Sequence, residues 1–334
     1  PGLEQRRDAE TARVMASAER LDARSDGINA YIGILAAILT SPARLVFIDE
    51  PETFLHPPLA RILGRQLAEL ARERDLQVFI ATHSPDLLAG CVAGDTEARI
   101  VRLTYKAERG RAWLVDNETL HRFATDPRLR TASALEGLFA EAVIITEGFA
   151  DRAFYQEIYE RLCQADPPLG LPRRADGWCF VNLENWQTEA LLLEPLRRLG
   201  IPAVAVVDRD VLFATDANAR RLLVATGVPE AQADAWRKRL MELKRDDQRQ
   251  SQEVEDIRRA MAEYGHFVVP VGELENWLTE EIATKKAGWL GRVFERLGTD
   301  PAQPGYRHPE QGGVWDFLRE IAAWIDNPER LGCG

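Results

Sequence analysis

Val143-Ile144-Ile145-Thr146-Glu147-Gly148-Phe149-Ala150-Asp151 and, about 60 residues on, Ala203-Val204-Ala205-Val206-Val207-Asp208-Arg209-Asp210 decide the fold. Each is a short run of β-favouring apolar residues that ends in an acid. Runs of this kind, without polar alternation, read as strands buried on both faces, as in a parallel sheet. A third run, His266-Phe267-Val268-Val269-Pro270, is followed by Glu273 and Glu275. Between the first two runs lie helical patterns at 150–163 and 188–199 and a further strand at 178–182. The order βαβαβ predicts a mostly parallel sheet with helices on its faces. Its acids then gather at the C-terminal edge, where open α/β sheets bind ligands. Carboxylates crowded together repel, so the pattern points to divalent metal among them.

The local chemistry is consistent with such a site. Gly148 permits a tight turn and close approach of backbone to ligand. Asp208 and Asp210 are expected two apart on an extended segment, both on one side. Asp151 is expected about one helical turn beyond Glu147, facing the same site. Residues 229–264 are charged and mostly helical, with an apolar stripe through Trp236, Leu240, Leu243, Val254, Ile257 and Met261. They are expected to form a helical insertion, spanning about 213–264, ahead of the last strand. From 276 to 334 the chain reads as helical, with a Gly/Pro-rich break at 298–313.

Upstream, the first 120 residues read as part of another α/β domain. A helix from Ile28 to Leu39 follows Ser25-Asp26-Gly27, with Ser25 or Asp26 as a plausible N-cap. Buried strands are expected at 45–48 and 77–81, with a helix from about 58 to 74 between them. Segments 99–104 and 111–115 flank Glu108-Arg109-Gly110 as a hairpin. Residues 121–140 are expected to link the two domains, the second running from 141 to 283 and a helical segment from 284 to 334 closing the chain.

Composition sets outer bounds. The chain has 334 residues, 28% charged and 46% hydrophobic, within the range of soluble globular proteins. No apolar run approaches the ~20 residues of a membrane span. The four cysteines, Cys91, Cys163, Cys179 and Cys333, form no CxxC pair and read as reduced thiols of a cytoplasmic protein. The sequence starts Pro1-Gly2-Leu3 and carries no signal peptide, which is expected of a fragment or processed chain. A net charge of -11 argues against a general electrostatic footprint for nucleic acid. It leaves room for a nucleic-acid enzyme, because acids in a metal site contribute to that total. Basic pairs at 197–198, 237–239, 244–245 and 285–286 read first as solvated helix faces.

Leu45-Val46-Phe47-Ile48-Asp49-Glu50 has the form of a Walker B strand, in which the Asp holds Mg²⁺ and the Glu polarises water. The next strand ends in Thr82-His83-Ser84, where a His can reach a γ-phosphate. With Leu55-His56-Pro57, this arrangement resembles the ATPase heads of the ABC superfamily, in the branch with the SMC and RecF proteins. By that resemblance Ser25 and Gly27 match the signature motif, which contacts nucleotide across a dimer interface, although the usual motif is richer in Ser and Gly. No Gly-x-x-x-x-Gly-Lys-Ser/Thr occurs in the sequence. ATP turnover by this chain alone is therefore not expected, and ATP is assigned to a longer protein.

The two acid-terminated strands, with Glu147-Gly148 and then Asp208-Arg209-Asp210, look like a Toprim domain. A partial ABC-type head followed directly by Toprim is the architecture of the OLD (overcoming lysogenization defect) nucleases, and the resemblance is to class 2 of that family. It implies a DNA endonuclease using two Mg²⁺ or Mn²⁺ ions. The implied ligands are Glu147, Asp151, Asp208, Asp210 and one later Glu. Glu275 is preferred for that place, and Glu273 serves better as a helix N-terminal charge. The family also uses a basic residue near the scissile phosphate, for which Lys285 and Lys286 are the only lysines after Glu275. Homodimerisation through the head, a UvrD-like helicase partner, and a place in phage defence or DNA repair are further implications.

Two alternatives stay open. One is a topoisomerase or primase, although none of the six tyrosines sits in a recognisable DNA-gate module and no zinc motif is present. The other is a degenerate Toprim scaffold that binds DNA without cutting it. The retention of Glu147 with both Asp208 and Asp210 speaks against it, because unpaired carboxylates at a sheet edge are costly.

Overall fold

The computed structural model describes residues 25–332 apart from 96, 107, 128, 130–133, 168, 173–176 and 279–287. The chain divides into two units, Pro1–Ala98 and Arg99–Gly334.

In the first unit, α1 (Asp26–Thr40), β1 (Leu45–Asp49), α2 (Pro57–Glu73), β2 (Gln77–Ala81) and α3 (Pro85–Gly94) follow one another. β1 and β2 pair in parallel, with Asp49 opposite Ala81. Helix α2 starts where His56 accepts the Leu59 N–H through Nδ1 and Pro57 takes the first turn. Ser84 caps α3 in the same way, accepting from Leu87 N–H at 3.2 Å. α2 and α3 pack backbone to backbone: a Cβ on Gly64 would meet the Leu87 carbonyl at 2.2 Å, and one on Gly90 the Arg61 carbonyl at 2.1 Å. The core joins Ile38, Ala60, Leu63, Leu67 and Leu87 to Val46, Ile48 and Ile80. The strands are not buried on both faces as expected. Alternation sends Leu45, Phe47 and Phe79 to the other face, where Phe47 is 72% and Phe79 55% exposed. Their rings stack at 5.1 Å.

The second unit opens with the hairpin β3 (Ile100–Lys106) and β4 (Arg109–Val115), turned at Glu108 with φ +62°. This hairpin sits with the residues that follow it: Arg102 Nε donates to the Leu138 carbonyl at 2.9 Å. The contact boundary thus lies at 98/99, where the sequence reading carried the first domain to 120. The end of α4 (Asn117–Thr125) falls within the stretch read as a linker, and Leu129, Ala134 and Leu138 there are buried.

Four strands form the main sheet: β5 (Ala142–Thr146), β6 (Trp178–Asn182), β7 (Ala203–Val207) and β8 (His266–Val268), all parallel, in the order β6-β5-β7-β8. Every residue of β5, β7 and β8 is buried, as the unbroken apolar runs require. α5 (Phe149–Gln164) joins β5 to β6, and α6 (Ala190–Arg198) joins β6 to β7. The chain therefore leaves β5 towards one side and returns to its other side at β7. The gap between β5 and β7 is the topological switch point, where doubly wound sheets open a crevice at their C-terminal ends.

Between β7 and β8 stand α7 (Ala217–Ala225), α8 (Glu230–Arg245) and α9 (Gln252–Ala262), the expected insertion. Leu240, Leu243, Val254, Ile257 and Met261 are buried, and the half-buried Trp236 meets Tyr264 edge-on. The C-terminal helices α10 (Trp289–Leu297) and α11 (Gly313–Asp326) complete the fold. They are not an appended segment. Trp289, Val293, Trp315, Phe317, Leu318 and Ile321 share one core with Ile144, Phe154, Tyr155, Val204 and Phe267. At ~1.5–3 kcal/mol for each large apolar side chain fully buried, these helices contribute substantially to the stability of the sheet.

Candidate active site

Strand register brings the acids to one level. Thr146 lies opposite both Asn182 and Val206, so Glu147 emerges level with Val207 and one step short of Asp208. The Thr146 hydroxyl donates to the Val181 carbonyl at 3.3 Å, which fixes the end of β5 against β6. Gly148 then turns the chain into α5. Asp151, at the third position of that helix, accepts the Gly148 N–H through Oδ2 at 3.1 Å. Asp151 thus has a structural task that the sequence reading did not assign.

The Asp208-Arg209-Asp210 segment differs from expectation. β7 ends at Val207, and Arg209–Phe213 winds into a 3-10 helix, so the two acids are not alternate residues of an extended strand. Asp208 is half-buried and Asp210 is exposed. Arg209 between them turns to the insertion, pairing with Glu255 at 2.5 Å. Its backbone N–H bonds the Gly272 carbonyl at 2.8 Å, which ties the turn after β7 to the turn that carries Glu273 and Glu275. That second turn is anchored from below as well: the Trp277 indole N–H donates to the Tyr155 hydroxyl at 3.1 Å, four residues along α5 from Asp151.

All six acids belong to one electrostatic group. Burial pushes Glu147 up, and Asp151 and Asp210 add to it. Burial likewise raises Asp151 to about 6, offset in part by its backbone hydrogen bonds and reinforced by Glu275. Asp208 is pushed up to about 8 by burial and then by Asp151, Glu147, Asp210 and Glu273. Its Oδ1 is buried without a hydrogen-bond partner among the described residues. Among the described residues no three His, Cys, Asp or Glu side chains converge tightly enough to hold an ion. In chemistry the set does fit a hard divalent cation, being all oxygen, partly desolvated and short of donors. Lys285 and Lys286 lie outside the described residues.

The basic clusters have mostly structural occupations. Arg197 is buried, donating to the carbonyls of Ala203 at 2.8 Å and Tyr264 at 2.9 Å. Lys244 Nζ donates to the Phe213 carbonyl at 3.0 Å, and Arg239 pairs with Glu242 and Glu253.

In the first unit, Asp49 ends β1 and Glu50 follows with φ +43°, a left-handed conformation uncommon for Glu. His83 Nε2 lies 3.7 Å from Glu50 Oε1, and both side chains are exposed. Glu52, which the sequence reading passed over, holds this corner. Its Oε1 accepts from the Thr82 hydroxyl and from the His83 N–H at 3.0 Å. Ser25 precedes α1 without a side-chain cap bond. Gly27 lies under the loop after β1, where a Cβ would meet the Phe54 carbonyl at 2.5 Å.

Comparison with known proteins agrees with both halves. Residues 10–89 match the family model described as "AAA domain, putative AbiEii toxin, Type IV TA system". Residues 138–210 match that of the "Overcoming lysogenization defect protein-like, TOPRIM domain". The chain is therefore an ABC/AAA-type ATPase portion followed by an OLD-like TOPRIM domain. It is similar to the OLD nuclease of Thermus scotoductus (strain ATCC 700910 / SA-01), with 31% identity over 173 residues, 50% of this chain and 31% of that protein. The Old nuclease of Escherichia phage P2 is 30% identical over 175 residues, 50% of this chain and 28% of that one. A phosphonates import ATP-binding protein of Synechococcus sp. (strain JA-2-3B'a(2-13)), PhnC 2, is 41% identical over 69 residues, 21% of this chain and 25% of that protein. The chain thus spans less than a third of the length of these relatives. Among the described residues no helix is long and apolar enough to cross a membrane.

Proposed function

We propose that the second unit is a divalent-cation-dependent nuclease acting on DNA. The observation that carries the reading is the placement of Glu147, Asp151, Asp208, Asp210, Glu273 and Glu275 after the C-terminal ends of β5, β7 and β8, near enough to influence one another electrostatically. The similarity to OLD nucleases over half the chain supports it. Glu147 and Asp208 are the primary holders of Mg²⁺ or Mn²⁺, with Asp151, Asp210 and Glu275 completing a site for two ions and Glu273 at its margin. Bound there, the ions would supply an activated water and offset charge on the phosphate. The chain itself orients the site. Asp151 fixes the Gly148 turn, Arg209 ties the turn after β7 to the turn carrying Glu273 and Glu275, and Tyr155 with Trp277 seats the latter turn on α5. Lys286, or Lys285, is proposed to neutralise the scissile phosphate. ATP, a homodimer through the ATPase portion, a UvrD-like helicase partner and a cytoplasmic role in phage defence or repair belong to this proposal for the whole protein.

One observation favours a second reading, a DNA-binding scaffold without catalysis: no three described acids converge on an ion-sized space. Plasmid cleavage decides between them. With Mg²⁺ or Mn²⁺ and no ATP, the chain is expected to nick or linearise supercoiled DNA, and Glu147→Ala and Asp208→Asn are expected to lower the rate about 100-fold or more, since each removes a carboxylate that holds the cation. Cleavage that persists in both variants, or none with any cation, contradicts the nuclease reading.

A further inference from the structure

Glu189 is a carboxyl that the reading of the acid-terminated strands passed over. It is 0% exposed, and neither Oε1 nor Oε2 has a hydrogen-bond partner among the described residues. A buried carboxyl in that condition costs several kcal/mol by desolvation, so its retention calls for a physical reason. The chain places it with care. After β6, Glu184 turns the backbone at φ +66°. The buried Thr188 hydroxyl then bonds the carbonyls of Leu183 at 3.0 Å and Asn185 at 2.9 Å, closing the loop. Glu189 follows at once, and its own carbonyl accepts the N–H groups of Leu192 and Leu193, which start α6. The loop leaves β6 at the same edge where β5, β7 and β8 deliver their acids.

We propose that Glu189 is a seventh carboxyl of the cation-holding group, contributed from the β6 side. The inference rests on the nuclease-site reading and extends it to the fourth strand of the sheet. Its charge environment supports the placement. Burial, followed by Glu147, Asp151 and Asp208, pushes Glu189 well above the usual carboxylate range. Those neighbours are acceptors like itself. Asn185 Oδ1, in the same loop, and Asp208 Oδ1 are also buried without partners among the described residues. Buried carboxylate oxygens that lack a donor are satisfied by a cation or by water that a cation orients. Glu189 is a positioning residue in this account, setting how tightly the edge holds a cation.

Direct binding tests it without relying on turnover. Mn²⁺ is titrated calorimetrically into the chain, Glu189→Gln and Asp208→Asn, and each melting temperature is read in EDTA and in Ca²⁺. Glu189→Gln is expected to bind Mn²⁺ about tenfold or more weakly, as for loss of a supporting group around a metal site. It is expected to lose most of the Ca²⁺-induced rise in melting temperature while melting in EDTA no lower than the parent. Glu189→Met, apolar and of similar length, is expected to behave likewise. Mn²⁺ affinity of Glu189→Gln within twofold of the parent, with the Ca²⁺ response intact, overturns the inference and leaves the site reading standing. A parent chain that binds no Mn²⁺ overturns both.

Discussion

Asp208 shows at one residue what the site requires. It closes a fully buried strand, and its carboxyl has nowhere to go but the edge it shares with five other acids. Its folded value of about 8, against an ordinary 3.8, means that the folded chain holds a proton that the unfolded chain releases across that window. Stability from this group is present below about pH 4 and is lost as pH rises towards 8. Asp208→Asn removes the dependence. In EDTA, the melting temperature of Asp208→Asn relative to the parent is expected to climb between pH 5 and pH 8.5. A difference that stays constant would show that Asp208 titrates normally. His266, which burial lowers to about 4, loses stability as pH falls, but it is present in both proteins and cancels in the comparison. The sequence identified Asp208 because a carboxylate after an apolar run is conspicuous. It did not identify Glu189 or Glu52, because each lies in a polar stretch whose burial depends on contacts across the fold.

At the scale of elements, local pattern set most boundaries and tertiary packing set the rest. β5, β6 and β7 fall where unbroken β-favouring runs place them, with no polar position inside to shift the register. After β7 the chain winds into a 3-10 turn, which Asp-x-Asp carries no signal to distinguish from an extended segment. Here the Arg209–Glu255 pair and the bond to Gly272 favour the turn. The buried face assigned to β1 and β2 failed for a related reason. Val, Phe and Ile fit a strand equally well on a covered or an uncovered face, and Phe47 and Phe79 turn outward. Helix α3 was not anticipated, since Gly90 and Gly94 weaken a helix on propensity alone. Those glycines serve the α2–α3 packing. Gly90→Ala puts a methyl group 2.1 Å from the Arg61 carbonyl, which neither backbone can relieve without moving. The substitution is expected to destabilise the first unit by about 1–3 kcal/mol, the usual range for overpacking, measured by urea denaturation. An unchanged midpoint would mean that the two helices are not held this closely.

For the molecule as a whole, the sequence announced a parallel sheet with acids at its C-terminal edge and a helical insertion before the last strand, and the fold has both. It did not announce that β5 and β7 flank the switch point, because strand order depends on which side each crossover takes. Nor did it show that α10 and α11 close over the same core as α5. Their apolar faces could have packed on any hydrophobic partner. The parallel order puts the C-terminal ends of β5, β7 and β8 along one edge, and an acid follows each of them. The most direct test is a crystal of the chain grown with Mn²⁺ and measured at the manganese absorption edge. The account predicts anomalous peaks between the ends of β5 and β7, in contact with Glu147 and Asp208, and their loss in Asp208→Asn. Peaks only elsewhere on the surface, or none at saturating Mn²⁺, would contradict it.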